Sequence, residues 1–245
     1  MPIPKRLMQT WKTNVLPPKW EASLASIRRH MPTWDYYLMT DEDNRAFIAH
    51  FFPDFLATYD AFPHNIQRAD AIRPCWLYVY GGLYMDCDYE LQAPLDHLFD
   101  DDHTLYLLPS SNVASVFTNA FMASAPRHPF WLRYIASMCQ SPGIYALERH
   151  WLIMNTTGPS ALTRMVRQEQ PPGLKTLPVE EINPYSICDT VPMSDTSLLR
   201  PLEGSSWVTP TGVCMQWMYC NSTTVLVIVV LILGVILLWL LCMML

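Results

Sequence analysis

The chain has 245 residues, a formal net charge of -6 and a pI near 5.6. No lysine- or arginine-rich stretch is present to neutralise phosphates, which argues against nucleic acid as a partner. The seven cysteines are scattered and never spaced Cys-x-x-Cys, so neither a zinc site nor a disulfide framework is expected.

The C-terminal part of the sequence is a long uncharged apolar run from Val225 to Leu245. A helix rising about 1.5 Å per residue would make this run as long as the hydrocarbon core of a bilayer is thick. We therefore expect one domain in residues 1–222 and a transmembrane helix in residues 223–245. The first residues lack the apolar region of a signal peptide, so the chain taken as it stands would be tail-anchored with a cytosolic domain.

The first predicted strand runs from Ile3 to Thr10 and carries Gln9, Thr10 and Trp11 to its carboxyl end. Trp11 can stack on a nucleobase, and packing in a core is the alternative interpretation. Further elements alternate along the chain: a helix in 18–30, a strand in 34–39 and a helix after 40. This alternation predicts an α/β domain in which helices cover a mostly parallel sheet.

Apolar residues at helical spacing predict a helix from Asn65 to Tyr80. Asp70 and Arg73 are three residues apart and share one face of it. A surface ion pair is the simpler interpretation. Alternatively, both lie at the mouth of a binding site, where Asp70 accepts bonds from sugar hydroxyls and Arg73 donates to hydroxyls or phosphate. Pro74 restricts Arg73 and can kink the helix there.

A short apolar strand follows this helix and ends in two carboxylates, Asp86 and Asp88. The preceding pair, Gly81 and Gly82, lets the backbone turn or approach a ligand closely. Paired carboxylates at a strand end suit Mg²⁺ or Mn²⁺, which take further oxygens from a substrate diphosphate. Acidic pairs also mark solvated turns, so this motif alone is weak evidence for a metal site.

Several motifs together resemble the signature of the DXD-containing glycosyltransferases of the inositol-phosphoceramide mannosyltransferase type: Arg68-Ala-Asp70, Arg73, Gly81-Gly82-Leu-Tyr84 and Asp86-Cys-Asp88. The opening Ile3 to Lys12 is similar to the N-terminal motif of that family, with Met8 where the family usually has His. The resemblance runs from about residue 3 to about 207 and is weak after 165. It implies a GT-A fold, a nucleotide-sugar donor, a divalent cation (Mn²⁺ or Mg²⁺) and transfer with retention at the anomeric carbon.

The resemblance also implies roles for individual residues. Asp86 and Asp88 would be the catalytic pair, with Asp88 binding the cation and Asp86 steering the cation or the donor ribose. Asp70 and Arg73 would orient the sugar, and Tyr84 could bond a phosphate. The remaining residues expected to contact substrate are Gln9, Thr10, Trp11 and Asn119, although Asn119 is equally consistent with a turn.

Residues 170–222 are rich in proline and are expected to wrap the domain irregularly. Related transferases carry a metal or diphosphate contact here, commonly a His, ahead of a Ser-Trp pair. This chain has Ser206 and Trp207 at the pair and Glu203 upstream. Glu203 and Ser206 could supply oxygens to the same cation, while an exposed loop glutamate is the alternative.

The residues Tyr59-Asp60 and Ile66 to Asp70 are similar to the branch of the family that uses GDP-mannose. A membrane-bound transfer of mannose to a sphingolipid head group is therefore favoured, with a glycan acceptor left open. The resemblance implies work in the Golgi lumen, which conflicts with a cytosolic tail-anchored domain. Two alternatives are a catalytically inactive nucleotide-sugar binding module and a metal-dependent phosphohydrolase, although no nucleophile or second ligand cluster is visible for the latter.

Overall fold

The computed structural model describes residues 2–111, 116–140, 143, 148–183, 185, 188, 196–204 and 210–244. The strands are β1 Arg6–Thr10, β2 Asp35–Met39, β3 Gly82–Met85, β4 Tyr89–Leu91, β5 Leu105–Pro109, β6 Phe117–Ser124, β7 Leu174–Thr176 and β8 Leu199–Pro201. The α-helices are α1 Glu21–His30, α2 Asp41–Phe51, α3 Pro53–Ala61, α4 Asn65–Tyr80, α5 Pro129–Met138, α6 Arg149–Thr156, α7 Pro159–Glu169, α8 Val179–Ile182, α9 Pro210–Cys220 and α10 Ser222–Met244.

The main sheet has the strand order β2-β1-β3-β6-β5-β7. Strand β1 runs parallel to β2 and β3, and β5 runs parallel to β7, whereas β6 is antiparallel to both β3 and β5. Of the six strands of this sheet, five run in one direction and β6 runs against them, so the sheet is mixed but mostly parallel, as the sequence predicts. The connection between β5 and β6 is shorter than the dozen or more residues that a parallel crossover requires, so these strands pair as a hairpin.

Helices cover both faces of this sheet. Successive side chains of a strand point to opposite faces, and β1 accordingly places Leu7 in one core cluster and Met8 in the other. Strand β3 does the same with Leu83 and Tyr84. Tyr84 therefore lies on the face that also buries Trp76 of α4. The alternation sets the Tyr84 ring beneath the helix that carries Asp70 and Arg73.

The glycine pair connects α4 directly to β3. Both glycines have positive φ, +64° for Gly81 and +97° for Gly82, which most side chains disfavour. A Cβ at Gly82 would also collide with the carbonyl oxygen of Arg6. Helix α4 continues through Pro74 up to this turn. The turn is therefore sharp enough to bring the C-terminal half of α4 against the strand that ends in the two aspartates.

The described residues of the proline-rich stretch after residue 170 include short regular elements. The stretch contributes β7 to the edge of the main sheet, the short helix α8, and β8, which pairs antiparallel with β4. The register of the second sheet sets Tyr89 opposite Pro201 and Leu91 opposite Leu199. Backbone pairing thus places β8 beside the strand that follows the DXD motif, while much of the range 170–222 lies outside the described residues.

A disulfide joins Cys188 to Cys220, contrary to the expectation from cysteine spacing. Spacing along the chain cannot reveal a pair that only the folded chain brings together. Among the helices that the structure describes, none is by itself long and apolar enough to cross a membrane. Helix α9 and the segment Ser222–Ile236 of α10 meet that requirement together, and they are bent by 89° relative to each other.

Candidate active site

Asp86 stands at the carboxyl end of β3. Its backbone N–H donates to the carbonyl of Ala120 at 2.8 Å, which ties the motif to β6. Its carboxylate accepts a hydrogen bond from the Tyr84 hydroxyl and lies 3.2 Å from the guanidinium of Arg73. Tyr84 and Arg73 therefore hold the Asp86 carboxylate on one side. Because the side chain remains 27% exposed, its other side is accessible to solvent.

Asp70 and Arg73 form a buried pair, not the surface pair that the sequence alone favours. The guanidinium lies 3.1 Å from the Asp70 carboxylate, and the two side chains are only 5–6% exposed. Asp70 also accepts hydrogen bonds from the Asn119 amide at 3.0 Å and the Thr157 hydroxyl at 3.1 Å. Because the pair is both buried and hydrogen-bonded, the loss of one partner would strand a charge in the core.

Arg73 lies between two carboxylates. It contacts Asp70 on one side and Asp86 on the other, and it donates to the Asn119 carbonyl at 2.9 Å. Its guanidinium also lies 4.7 Å from the centre of the Tyr84 ring, a cation–π distance. Burial raises the pKa of the Asp70 carboxyl to about 6, an effect that the nearby Asp86 reinforces and Arg73 opposes. Arg73 thus compensates the charge of a network that would otherwise be strongly acidic.

Asp88 lies under the C-terminal segment that β8 carries back. Its carbonyl accepts a hydrogen bond from the Leu202 N–H at 2.7 Å, and a Cβ at Gly204 would collide with its carboxylate. Burial and the neighbouring charge of Asp86 raise the pKa of Asp88 to about 7. A carboxylate whose ionised form is disfavoured in this way is stabilised by an added cation.

Asp86 and Asp88 can hold Mg²⁺ or Mn²⁺ only if water or substrate oxygens complete the coordination of the ion. Among the residues that the structure describes, no three His, Cys, Asp or Glu side chains are grouped to hold a metal ion. Two carboxylates are nonetheless a common protein contribution to such a cation, which takes its other oxygens from water and substrate phosphate. Asp86 and Asp88 therefore fit a cation that arrives with, or is completed by, a diphosphate.

Glu203 does not join the two aspartates. Its side chain is 83% exposed and lies 3.4 Å from the amine of Lys19, while its backbone carbonyl accepts a bond from the Trp20 indole at 2.7 Å. The prediction of a third metal ligand at Glu203 is therefore corrected. The chain after β8 approaches Asp88 at Gly204, which has no side chain, and the side chain of Glu203 points into solvent.

Gln9 lies inside the domain and does not line the site. Its side chain is fully buried, where it donates to the Asp86 carbonyl and the Ser23 hydroxyl and accepts from the Tyr36 hydroxyl. The expectation that Gln9 contacts substrate is thus corrected. It is a buried bridge between the first strand and the backbone of the DXD motif.

Two adjoining cavities open at these residues. One of about 370 Å³ is lined by both aspartates of the motif and by most of the predicted substrate contacts: Thr10, Trp11, Asp70, Arg73, Tyr84, Asn119. The second, of about 350 Å³, shares Thr10 and Trp11 with the first and adds the charged side chains Lys12, Asp41 and Arg149 and the imidazole of His64. Trp11 stands where the cavities meet. Their combined size is that of a small-molecule site.

Sequence reasoning missed several residues of this site. Thr157 bonds Asp70 across a separation that no local pattern reveals. Lys12, Asp41 and Arg149 line the second cavity from three separate parts of the chain. Ser206 and Trp207 lie outside the described residues.

Comparison with known proteins decides the family. Residues 17–105 match the glycosyltransferase sugar-binding region containing a DXD motif. Inositol phosphoceramide mannosyltransferase 3 of Schizosaccharomyces pombe is 37% identical over 164 residues, which cover 66% of this chain and 44% of that protein. The chain belongs to the DXD-containing glycosyltransferase family. Inositol phosphoceramide mannosyltransferase 2 of the same yeast is 34% identical over 213 residues, covering 84% of this chain and 58% of that protein.

The chain spans about half the length of these curated relatives. Among solved structures, the PaToxG glycosyltransferase superposes with a TM-score of 0.53 and 16% identity, over 69% of this chain and 70% of that chain. That likeness shows a shared fold. The DXD glycosyltransferase has the GT-A-like architecture that the sequence predicts, with the mixed sheet described above.

Proposed function

We propose that this DXD glycosyltransferase is a metal-dependent retaining enzyme that transfers mannose from GDP-mannose to the inositol-phosphate head group of a sphingolipid. The observation that carries the proposal is the junction at Arg73, where the buried Asp70–Arg73 ion pair and the DXD motif line one cavity. The names of its relatives supply the sugar and the acceptor class.

The two cavities suggest how a nucleotide sugar would lie. The sugar would occupy the first cavity, where Asp70 and Asn119 offer oxygens and an amide to its hydroxyls. The diphosphate would lie beside Asp86 and Asp88, and the nucleoside would pass Trp11 into the second cavity. An aromatic ring at that junction suits a base, since base–aromatic stacking contributes about 1–3 kcal/mol.

Departure of the sugar leaves negative charge on the diphosphate. A cation held by Asp86 and Asp88 would supply Lewis-acid stabilisation of that charge. Arg73 holds Asp86 in position by an ion pair, and Tyr84 donates to the same carboxylate. Among the described residues lining the first cavity, no histidine is placed as a general base. We infer that the leaving phosphate takes the proton of the acceptor hydroxyl, as retention allows.

A membrane-bound enzyme with its domain in an oxidising lumen fits two features. The bent pair of apolar helices, Pro210–Cys220 and Ser222–Ile236, offers an anchor by its length and composition. The division into a domain in 1–222 and a membrane segment in 223–245 is part of this proposal. The Cys188–Cys220 disulfide would persist in an oxidising compartment and would be reduced in the cytosol. Peptide mapping of the unreduced protein from its native membrane tests this orientation. Recovery of free thiols at both positions would place the domain in the cytosol.

The test is donor screening by nucleotide release and by calorimetric binding, with and without Mn²⁺. We expect Mn²⁺-dependent binding and turnover of GDP-mannose, weaker binding of UDP-glucose, and an activity loss of about 100-fold or more for Asp88→Asn. Asp102→Asn is the matched control, because Asp102 is an exposed acidic residue in a distant turn. Metal-dependent binding without turnover would support a binding module instead, and release of free phosphate would support a hydrolase.

A further inference from the structure

Helix α9 is an apolar helix that lies on the outside of the protein. No charged residue occurs in the sequence after Glu203. Large side chains of α9 nevertheless stand largely in the open: Val213, Trp217, Met218 and Tyr219. An uncharged helix that exposes two aromatic rings beside other apolar groups indicates a surface that something apolar covers.

The direction of α9 identifies what covers it. Helix α9 meets the first part of α10 at 89°, with the break at Asn221. The large side chains of α10 from Leu226 to Ile236 are apolar and exposed, as expected for contact with lipid. A helix perpendicular to a membrane span lies parallel to the membrane plane. Tryptophan and tyrosine are the residues that favour the interface between lipid and water at that depth.

Two contacts join the ends of α9 to other parts of the chain. The Thr211 hydroxyl, in its first turn, bonds the side chain of Glu148. Cys220, its last residue, forms the disulfide with Cys188. Because both contacts restrict the movement of α9, the plane in which α9 lies limits how the rest of the chain is turned toward the membrane.

The cavities lie on the same side of the domain as this attachment. Glu148 immediately precedes α6, whose Arg149 lines the second cavity and whose Ile153 lines the first. Trp151 of the same helix is exposed. Helix α6 thus connects the attachment point of α9 to the rim of both cavities.

We propose that α9 lies flat in the lipid–water interface of a bilayer that α10 enters, and that it holds the α6 side of the cavities next to the lipid head groups. The position of α9 stands on the bend, the exposed apolar residues and the two attachments. Delivery of a lipid acceptor from the membrane plane to the cavities rests in addition on the proposed function.

Depth-dependent fluorescence quenching tests the position of α9 in the full chain. A fluorescent amino acid is placed at Trp217, at Leu231 in α10, or at exposed Leu132 in α5 as the control, and each protein is reconstituted into phosphatidylcholine vesicles. We expect head-group nitroxide lipids to quench at 217 at least about twofold more than lipids labelled deep in the acyl chain. The reverse is expected at 231, and only aqueous iodide should quench at 132.

Three results would overturn the proposal. Quenching at 217 by deep lipids, as at 231, would make α9 part of a continuous span. Quenching at 217 by iodide alone would place α9 in water. Shielding of 217 from lipid and iodide together, accompanied by a crosslinked dimer, would show that a second copy covers the helix.

Kinetic measurements separate this proposal from the proposed function. In Trp217→Glu, we expect transfer to acceptor in vesicles to fall at least about tenfold, with Mn²⁺-dependent donor binding changed by less than about twofold. Leu132→Glu should change neither quantity. Absence of donor binding in the unaltered chain would refute the proposed function while the quenching result stands. Unchanged transfer by Trp217→Glu would refute membrane delivery of the acceptor.

Discussion

Arg73 forms an ion pair with Asp86 at 3.2 Å, so a side chain buried in α4 holds the first aspartate of the DXD motif. The same guanidinium lies 3.1 Å from Asp70. The motif is therefore not an independent loop. Its geometry depends on a buried charge network to which α4, β3 and β6 all contribute residues.

The replacement Arg73→Met should be strongly destabilising. It leaves Asp70 buried without its partner, a change that costs about 3–5 kcal/mol in comparable pairs. Urea unfolding followed by circular dichroism measures the loss in free energy of unfolding. Arg45→Met is the control, because the Arg45–Asp60 pair is exposed and worth under about 1 kcal/mol. Equal losses in the two variants would contradict the buried network.

Gly204→Ala should disable the site with little effect on the fold. The added Cβ would collide with the Asp88 carboxylate, so we expect Mn²⁺ affinity and turnover to fall at least about tenfold. The control is Gly234→Ala in the C-terminal helix, where a Cβ meets no atom within 4 Å. Calorimetric titration with Mn²⁺ and GDP gives the affinity. Unchanged affinity in Gly204→Ala would show that the C-terminal segment does not approach Asp88.

The stability of the protein should decrease as pH rises from about 4 to 6 because of Asp70. Burial raises its pKa from 3.8 to about 6, so in this range the folded state holds a proton that the unfolded state has lost. The contribution amounts to at most about 3 kcal/mol. Comparison of the pH slope of the unfolding free energy with that of Asp70→Asn isolates it. Identical slopes would mean that Asp70 has an ordinary pKa when folded.

Gln9 and Trp11 should respond to mutation in opposite ways, although they are neighbours in sequence. Gln9→Leu removes three hydrogen bonds of a buried side chain, so we expect a loss of about 1–3 kcal/mol in unfolding free energy. Trp11→Ala should leave stability nearly unchanged and weaken GDP binding by about 1–3 kcal/mol. Paired denaturation and calorimetry on both variants decide the matter. A loss of GDP affinity confined to Gln9→Leu would reverse the assignment.

Local sequence patterns predict a large part of this structure. Apolar spacing predicts α4 over its observed bounds and puts Asp70 and Arg73 on one face, because both depend only on the helical repeat. The Gly-Gly turn, the short strand β3 and the paired aspartates that follow are equally readable, since each is set by residues adjacent in sequence. The family resemblance predicts that these pieces form one site.

Only the tertiary structure decided which of those groups are buried and what they meet. From sequence alone, Asp70 is consistent with a surface ion pair. In the structure it is buried, and it accepts hydrogen bonds from Asn119 and Thr157, which are both distant in sequence. Pairing of β8 with β4 set Gly204 against Asp88 and turned Glu203 toward Lys19. Periodicity reports the direction of a side chain within its own element. Contacts between elements depend on how the whole chain packs. A one-residue shift in strand register, for example, would move the side chains of that strand to the opposite face of the sheet.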